Sequence, residues 1–410
     1  MVENKIDQAV IFCGGFGTRL KKITKKTPKP LLKFDNVIFL DYVICNLAKY
    51  GFKKILLLCH YKSHFFIKRY NQKNILGMTI ECVIEKTPLG TGGSLYNAKN
   101  FLDNTFMICN GDTYCDFNLF EFKKKFNKKS NILVGIKKIE NNFKFKKVIV
   151  KNKKIKFFSD KPCNKNDYFN TGFSILKKSF IKKINQGNYN LEKDYLNLEV
   201  KKRSIDYYEI KDELIDIGTV NDFNYAKNYF KKRNLSSFLI LDRDGVINYD
   251  TGHLSDYVNI KYIDGIVQLI KLFNLKNIPI FVVTNQSAVA RGYMSENKLN
   301  KINWKIMEYF KSKNCLINRI YYCPHHVESK ILKYKKKCKF RKPNNNFFHK
   351  IKKDWFLKSN SALMIGDQHS DMLFADKSKI NGILFDKPSH NIFKAMNINH
   401  KFKKFLKAIN

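Results

Sequence analysis

Short apolar runs rich in β-branched residues alternate with amphipathic stretches along the whole chain. Runs of this length are typical of buried strands, and the amphipathic stretches between them are typical of helices. The alternation predicts an α/β fold with mainly parallel sheets, which bind ligands at the carboxyl ends of their strands. The residues that follow each run therefore matter most for function. The runs occupy residues 9–12, 54–58, 106–108, 132–134, 238–241, 278–283 and 362–365.

A chain of 410 residues is too long for one ordinary hydrophobic core and long enough for two domains. The polar segment at residues 231–237 separates two complete sets of strands and helices. We therefore predict two domains, residues 1–232 and residues 233–410. Each is expected to contain a mainly parallel sheet flanked by helices.

Composition excludes several classes of protein. The longest apolar runs fall short of the ~20 residues that a membrane-spanning helix needs. The first residues lack the basic segment, the apolar core and the cleavage site of a signal peptide. Ten irregularly spaced cysteines favour reduced thiols over a disulfide scaffold. We expect a soluble, unsecreted protein of the cytoplasm without a membrane partner.

The net charge of +42 invites a nucleic-acid-binding interpretation, which is kept as an alternative. However, +18 lies in residues 236–410 and +24 in the first 235, so the excess forms no tail. We favour a general lysine bias on solvated faces, no nucleic-acid partner and small phosphorylated substrates; the oligomeric state stays open. Four of the eight arginines fall inside the motifs below, where a planar guanidinium suits phosphate: Arg19, Arg243, Arg291 and Arg341.

The first apolar run enters the string G-G-F-G-T-R-L at residues 14–20. Glycines after a strand let the backbone approach a phosphate and point amides at it. The string is neither a dinucleotide fingerprint nor a P-loop. Just downstream, T-P-K-P-L-L at residues 27–32 places Lys29 between two prolines. Arg19 and Lys29 are thus placed to neutralise a triphosphate and its pyrophosphate leaving group.

These strings resemble the signature of the sugar-1-phosphate nucleotidyltransferases, and later segments match that family in order. The resemblance implies a Rossmann-like domain with Mg²⁺ held by Asp112, after N-G, and by Asp216, before I-G-T. It implies sugar-phosphate contacts at Lys161 (after Asp160, where a glutamate is common), Asn170, Gly172 and Glu192. It implies nucleotide binding by Gly14, Gly15, Gly17, Thr18, Gly90, Thr91 and Gly93.

The chemistry implied is in-line attack by a sugar 1-phosphate oxygen on the α-phosphorus of a nucleoside triphosphate. Mg²⁺ would spread the developing charge, Arg19 and Lys29 would assist, and no protein nucleophile is required. The strings E-K-x-P-L-G-T-G-G and L-E-K-D are most similar to heptose 1-phosphate guanylyltransferases. Single pocket side chains can change base or sugar preference, so another sugar with dTTP, CTP or UTP stays open.

A second constellation begins where residues 238–241 lead into Asp242-Arg243-Asp244. Two carboxylates two residues apart at a strand end can take different roles in phosphate-ester hydrolysis. One attacks phosphorus, and the other protonates the leaving oxygen and then activates water. Further groups follow later strands: Thr284 and Asn285, the cations Arg341 and Lys342, then Asp367 and Asp371.

This order resembles the haloacid-dehalogenase (HAD) phosphatases. The resemblance implies Asp242 as the nucleophile and Asp244 as the acid and base. It implies Mg²⁺ ligation by Asp242, Asp244 and Asp367. The phosphate-binding or substrate-binding residues would be Thr284, Asn285, Arg291, Arg341 and Lys342.

The strings at residues 284–293 and 323–326 are similar to the heptose 1,7-bisphosphate and histidinol phosphatase subgroup, in which a zinc-stapled C-x-H…C-x-C loop replaces a large cap. Here Cys323, His325 and Cys338 match three ligands, but Phe340 occupies the fourth position. Three protein ligands suit a catalytic zinc more than a structural one. Zinc completed by His326 or water, and a loop held by packing of Phe340, both stay open. Gln368 stands where the subgroup often has lysine.

Together the two halves imply a bifunctional enzyme of nucleotide-sugar synthesis with Mg²⁺ in both domains. It would remove the 7-phosphate of heptose 1,7-bisphosphate through an aspartyl-phosphate. It would then transfer GMP from GTP to heptose 1-phosphate and release pyrophosphate. The alternative is the same pair of reaction classes on another sugar 1-phosphate with another nucleotide, and a phosphatase of the histidinol-phosphate type.

Overall fold

The computed structural model describes residues 6–126, 130–139, 145–202, 205–232, 237–250, 260–357, 361–386 and 390–408. The chain divides into two compact units, Met1–Arg233 and Asn234–Asn410, and each is described by itself. Residues 233–236, at the expected domain boundary, lie outside the described residues. Within those described ranges, helices long and apolar enough to cross a membrane are absent.

The first unit is built on a ten-stranded mixed sheet with the order β11-β10-β12-β7-β1-β4-β6-β5, and β9 pairs with both β12 and β13. Its elements are β1 (Gln8–Phe12), β2 (Lys33–Phe34), β3 (Val37–Ile38), α1 (Phe39–Lys49), β4 (Lys54–Cys59), α2 (Ser63–Tyr70), β5 (Lys73–Ile75), β6 (Met78–Ile84), α3 (Gly90–Asn97), β7 (Thr105–Asn110), β8 (Thr113–Cys115), α4 (Leu119–Lys125), β9 (Ile132–Lys138), β10 (Lys146–Lys151), β11 (Lys154–Pro162), β12 (Tyr168–Lys177), α5 (Lys178–Ile181), α6 (Asn197–Lys201), β13 (Ile205–Glu209), β14 (Leu214–Asp216) and α7 (Val220–Lys232).

The centre of this sheet is parallel, because β1 lies between β4 and β7 and β4 pairs with β6 in the same direction. Ala9, Val10 and Ile11 of β1 are fully buried, as expected for a strand covered on both faces. Strands β10 to β12 add antiparallel pairs on one side. The carboxyl ends of β1 and β7 lie side by side, since Phe12 pairs with Asn110.

The second unit is built on a five-stranded parallel sheet with the order β17-β16-β15-β18-β19. Both predicted sheets are thus present, and the expected α/β class with two units is confirmed. The elements are β15 (Phe238–Leu241), α8 (Ile266–Leu275), β16 (Ile280–Asn285), α9 (Ser287–Ala290), α10 (Glu296–Ser312), β17 (Arg319–Cys323), α11 (Asn346–Asp354), β18 (Ala362–Gly366), α12 (His369–Lys377), β19 (Asn381–Leu384), α13 (Ile392–Ile398) and α14 (His400–Ala408).

Strand β15 occupies the middle of this sheet, and all four of its side chains are fully buried. Its neighbours β16 and β18 run parallel to it, so all three carboxyl ends meet at one edge. Asp242 follows β15, Thr284 is the second-last residue of β16, and Asp367 follows β18. The parallel topology therefore brings three sequence-distant motifs to one place.

Candidate active sites

The glycine loop of the first unit turns sharply after β1. Gly17 has a φ of +67°, a left-handed conformation that favours glycine. The Thr24 hydroxyl donates to the Gly17 carbonyl oxygen at 2.9 Å and ties the end of the following short helical segment back to the loop. Gly15, Thr18 and Arg19 are exposed, so their polar groups are accessible to a ligand.

Of the two expected Mg²⁺ ligands of the first unit, Asp112 directly precedes β8 and Asp216 is the last residue of β14, which pairs with β8. Asp216 of β14 pairs in register with Thr113 of β8, and the Ile217 amide donates to the Asp112 carbonyl oxygen at 3.2 Å. Carboxylates are the hard oxygen donors that Mg²⁺ prefers, so these two residues fit the metal.

Both expected cations approach these carboxylates. The Lys29 ammonium is almost buried and lies 2.5 Å from Asp112 Oδ2. A Cβ at Gly218 would lie 3.4 Å from Arg19 Nη2 and 2.5 Å from Asp216 Oδ1. The Asp216 carboxylate and the Arg19 guanidinium therefore both lie beside Gly218, where a side chain would collide with Asp216. The structure brings Arg19, Lys29, Asp112 and Asp216 to one edge.

Gly90 and Gly93, which are expected to bind the nucleotide, have a packing role that the sequence analysis did not predict. A side chain at Gly90 would collide with the Tyr189 carbonyl oxygen, and one at Gly93 with the Gly187 carbonyl oxygen. The Thr91 hydroxyl accepts a hydrogen bond from the Leu191 amide at 2.9 Å. These contacts fasten the start of α3 to the segment that carries Glu192.

Three of the four expected sugar-phosphate residues converge. Asn170 Nδ2 donates to Glu192 Oε1 at 2.7 Å, and the Gly172 amide donates to Asn170 Oδ1 at 3.0 Å. Burial raises the pKa of Glu192. Lys161 lies on an exposed part of β11. Its neighbour Asp160, also exposed, forms an ion pair with Lys146 instead.

Glu85 is a candidate functional residue that the sequence analysis missed. It follows β6 directly and is only 6% exposed. Its Oε2 atom lies 3.8 Å from the position of a Cβ at Gly14, and burial raises its pKa. The signal that could have found it is its place at the head of the string E-K-x-P-L-G-T-G-G.

In the second unit, a buried lysine joins two carboxylates at the edge of the sheet. Lys342 Nζ lies 2.9 Å from Asp242 Oδ1 and 2.5 Å from Asp371 Oδ1. Burial acts to lower the pKa of Lys342, but the two carboxylates outweigh it and raise that pKa. Burial raises the pKa of Asp242 to about 7 even though Lys342 opposes this.

The carboxylates that converge in the second unit are Asp242, Asp367 and Asp371, whose nearest oxygens lie within 4.8 Å of one another. Such a set of hard oxygen donors fits Mg²⁺. Asp244, expected as a ligand, does not join this set in the described part of the chain. Its carboxylate is instead held by hydrogen bonds from Arg243, Asn248 and Gln286. Asp371 takes its place in the cluster.

The groups around this cluster line a pocket of about 410 Å³. Thr284, Arg341 and Lys342 lie in its wall, while Arg291 is exposed. Asn285 also lines the pocket, but its amide exchanges two hydrogen bonds with the Lys342 backbone at 3.0 and 3.1 Å. Its side chain therefore positions Lys342. Arg243 was expected to bind phosphate, yet it is 1% exposed and bonds to protein groups only among the described contacts.

The candidate zinc ligands also converge. One donor atom from each of Cys323, His325 and Cys338 lies within 4.8 Å of the others, with Cys323 Sγ 3.7 Å from His325 Nδ1. Two thiols and an imidazole are donors that zinc prefers, so the cluster fits that metal. Burial raises the pKa of the Cys323 thiol to about 12 and lowers the pKa of His325.

His326, the expected substitute ligand, and Phe340, at the fourth ligand position, contact other protein groups. His326 Nδ1 accepts a hydrogen bond from the Glu328 amide at 3.2 Å, and His326 is not in the described cluster. The Phe340 ring packs on Phe347 at 4.9 Å between centroids. Arg341 donates to the His325 carbonyl oxygen at 3.2 Å, so protein contacts also tie the loop down.

The fold and these two sites define a nucleotidyl-transfer unit followed by a phosphatase unit, and comparisons with known proteins agree. Residues 8–234 match the nucleotidyl transferase family, and residues 339–395 match the HAD-hydrolase-like family. The chain belongs to the nucleotidyl transferase family and carries a HAD-type phosphatase in its second unit. Both resemblances stated above are confirmed.

Individual relatives match each half. A D-glycero-alpha-D-manno-heptose 1-phosphate guanylyltransferase of Campylobacter jejuni is 33% identical over 218 residues, which cover 53% of this chain and 96% of the relative. A D-glycero-beta-D-manno-heptose-1,7-bisphosphate 7-phosphatase of Rhodopseudomonas palustris is 31% identical over 153 residues, covering 37% of this chain and 85% of the relative. The crystal structure of HddC from Yersinia pseudotuberculosis is 26% identical with a TM-score of 0.50, and covers 55% of this chain and 100% of that one.

Proposed function

We propose that the chain removes the 7-phosphate of heptose 1,7-bisphosphate and then joins the resulting heptose 1-phosphate to GMP from GTP. The observation that carries this proposal is the pairing of the two relatives in one chain. Removal of a 7-phosphate from a 1,7-bisphosphate leaves a 1-phosphate, which is the substrate class named for the other relative. One chain would thus perform two consecutive steps of nucleotide-sugar synthesis.

In the phosphatase half, the Asp242 carboxylate attacks phosphorus, and Asp244 protonates the departing sugar oxygen. Asp244 then takes a proton from the water that hydrolyses the aspartyl-phosphate. Lys342 offsets negative charge beside Asp242, and the Thr284 hydroxyl lies in the pocket wall to contact phosphoryl oxygens. Mg²⁺ held by Asp242, Asp367 and Asp371 would keep the phosphate from repelling the attacking carboxylate.

Two arginines are available to bind a second phosphate of the substrate. Arg341 lines the pocket, and its pKa is lowered by burial and by the charge of Arg291. Two guanidinium groups that act on each other are stabilised by an anion between them. This supports a bisphosphate substrate over a monophosphate.

In the transferase half, an oxygen of heptose 1-phosphate attacks the α-phosphorus of GTP, and pyrophosphate leaves. Lys29 and Arg19 would stabilise the charge that develops on the phosphates. Mg²⁺ held by Asp112 and Asp216 would assist in the same way. The Asn170–Glu192 pair lies where the sugar is expected, and no protein nucleophile takes part.

Glu85 supports guanine as the base. The Watson–Crick edge of guanine offers two neighbouring N–H donors, and one carboxylate can accept from both. Uracil, thymine and cytosine do not offer this pair of donors. We expect Glu85→Gln to lower kcat/KM for GTP about tenfold or more relative to UTP, because a charge-assisted acceptor is lost. Glu81→Gln, an exposed change on the same strand, is the control, and equal losses for both nucleotides would contradict the assignment.

For the three-ligand cluster we propose zinc bound by Cys323, His325 and Cys338 with an exchangeable fourth ligand. Phe340→Cys would supply a third thiolate, and Phe340→Leu is its control. In the cobalt-substituted protein, Phe340→Cys should strengthen the thiolate-to-metal absorption band and tighten metal binding, whereas Phe340→Leu should not. A wild-type chain that takes up no zinc or cobalt would refute the site.

We also propose a cytoplasmic location, where nucleoside triphosphates are available. All ten cysteines lie in described ranges and are free thiols, which fits a reducing compartment.

The decisive experiment is mass spectrometry of products from the purified chain with Mg²⁺, heptose 1,7-bisphosphate and each of four nucleoside triphosphates. Both anomers are tested, because the two relatives are named for different ones. GDP-heptose with release of one phosphate is expected. Phosphate release without a nucleotide sugar would refute the nucleotide or the sugar assigned to the transferase half. No reaction at all would refute the substrates assigned to both halves.

A further inference from the structure

Arg243 stands between the two carboxylates of the phosphatase motif, yet its side chain is turned away from solvent and is 1% exposed. Its Nε donates to Asp244 Oδ1 at 3.0 Å, and its Nη2 donates to Asp244 Oδ2 at 2.9 Å. The guanidinium thus grips the neighbouring carboxylate at two points. A planar fork can do this and a lysine ammonium cannot.

The guanidinium is itself held from two other elements. Its Nη1 donates to Asn303 Oδ1 on α10 at 3.2 Å, and its Nη2 donates to Gln286 Oε1 after β16 at 2.8 Å. Gln286 also donates to Asp244 Oδ2 at 2.7 Å, and Asn248 donates to Asp244 Oδ1 at 2.9 Å. Each Asp244 oxygen therefore accepts two hydrogen bonds, and the network links β15, β16 and α10.

We propose that Arg243, supported by Gln286 and Asn303, is a positioning residue that fixes the orientation of Asp244 for proton transfer. This inference rests on the proposed phosphatase function of the second unit. It assigns a role to a buried arginine that would otherwise be counted among phosphate-binding groups.

Proton transfer needs Asp244 in the same place twice. In the first step the Asp242 oxygen bonds to phosphorus, the bond from phosphorus to the sugar oxygen breaks, and that oxygen takes a proton from Asp244. In the second step water bonds to phosphorus, Asp244 regains a proton from the water, and the bond from phosphorus to Asp242 breaks. The hydrogen bonds described above suit the ionised form, which takes a proton from water in the second step. In the first step the protonated carboxyl releases one of these bonds so that its oxygen carries the proton, while the remaining bonds keep its orientation.

The network also keeps Asp244 out of the metal-binding cluster. Asp242, Asp367 and Asp371 converge, whereas the Asp244 oxygens are occupied by the hydrogen bonds described above. A carboxylate two residues from a ligand would otherwise compete for the cation. By binding both oxygens of Asp244, Arg243 keeps that carboxylate available as an acid and base.

The test compares leaving groups in the full-length chain with Mg²⁺. A sugar or alkyl phosphate needs a proton on its departing oxygen, whereas 4-nitrophenyl phosphate does not. We expect Arg243→Met to lower kcat/KM for the alkyl phosphate about 100-fold and for the aryl phosphate less than about fivefold. Asp244→Asn should show the same pattern, and Arg243→Lys should lie between wild type and Arg243→Met. Equal losses for both substrates would overturn the proposal.

The double variant Arg243→Met/Asp244→Asn gives a second readout. If Arg243 acts through Asp244, the double variant should be no slower than Asp244→Asn alone. A loss of activity equal to the product of the two single-variant losses would overturn the proposal. Should Arg243→Met fail to fold, Asn303→Ala removes one support and should show the same dependence on the leaving group, with a smaller loss. An equal loss for both phosphates in Asn303→Ala would again count against it.

Failure of the proposed function is distinguishable from failure of this inference. A wild-type chain that hydrolyses both simple phosphates but not heptose 1,7-bisphosphate would refute the substrate alone, and the leaving-group comparison would still decide the role of Arg243. A wild-type chain that hydrolyses no phosphate ester would overturn both.

Discussion

The two units treat their charged groups differently. In the second unit Lys342 has a side chain 2% exposed, between carboxylates that are 10% and 0% exposed. In the first unit Lys29 is 8% exposed but its partner Asp112 is 28% exposed, and Arg19 is exposed. The second unit thus has a largely buried ion network at the base of a pocket, and the first unit has more exposed cationic and anionic groups.

The difference follows from the chemistry proposed for each unit. A protein carboxylate that attacks phosphorus must be held in one orientation, which a buried network provides. Transfer of a nucleotide to a sugar phosphate needs no protein nucleophile, so its groups bind large mobile phosphates and remain accessible. Five predictions test this contrast, beginning with the effects on activity and followed by those on stability and on binding.

Asp242→Asn should lower phosphate release from heptose 1,7-bisphosphate by at least about 1,000-fold, because it removes the nucleophile of a covalent mechanism. Nucleotidyl transfer to supplied heptose 1-phosphate should be unchanged. Phosphate and nucleotide-sugar assays on one preparation measure both, with the exposed Asp376→Asn as the control. Loss of both activities would contradict two independent sites.

Asp216→Asn should produce the opposite split and lower nucleotidyl transfer on the order of 100-fold, since one oxygen donor to Mg²⁺ becomes an amide. Raised Mg²⁺ should recover part of the loss, which the same assay measures. Asp103→Asn, at a surface ion pair with Lys54, is the control. A variant that transfers nucleotide normally would remove Asp216 from the site.

Lys342→Met should destabilise the second unit by about 3–5 kcal/mol, because it leaves two buried carboxylates without their cation. Lys29→Met should cost about 1 kcal/mol or less, since water reaches Asp112. Denaturant unfolding of both variants measures the free energies. Equal losses would mean that the two ion pairs are buried alike.

Glu192 should make the stability of the first unit depend on pH. The free energy of unfolding should fall as the pH rises from the ordinary pKa of glutamate to the higher pKa of Glu192. Burial raises that pKa, so in this window the folded state holds a proton that the unfolded state has lost. Glu192→Gln should remove this fall in the free energy of unfolding. The fall should be smaller than the loss of stability expected for Lys342→Met. Denaturant unfolding across the window measures it, and an unchanged slope would show that another group titrates there.

The smallest effect is expected for polyanions. The charge is spread as +24 over the first 235 residues and +18 over the rest, which favours weak binding that salt abolishes. Fluorescence anisotropy with a labelled DNA duplex at rising salt measures this. Tight binding that survives physiological salt, and survives Asp242→Asn and Asp112→Asn, would favour the nucleic-acid alternative.

Much of this protein could be predicted from short contiguous strings. The two families, the α/β class and the placing of Asp242, Thr284 and Asp367 at strand ends all follow from local patterns. A strand followed by a specific turn needs only neighbouring residues, and parallel pairing then brings the strand ends together.

Side-chain partners were beyond the reach of the sequence. It predicted Asp244 as a metal ligand, which stays a prediction, and it did not show that the guanidinium of Arg243 binds that carboxylate or that Asp371 lies in the cluster with Asp242 and Asp367. It treated Asn285 as a phosphate-binding residue, whereas its amide bonds to the backbone of Lys342. It placed Glu85 at the head of the string E-K-x-P-L-G-T-G-G, but only the structure shows that β6 ends beside Gly14 and brings the Glu85 carboxylate close to the glycine loop.

The sequence by itself therefore determined which reactive groups the chain carries and at which strand ends they stand. Only the tertiary structure decided which of those groups touch each other. The physical reason is that a motif depends on backbone geometry over a few residues. A hydrogen bond such as that from Arg243 to Asn303 depends on the packing of a helix sixty residues away.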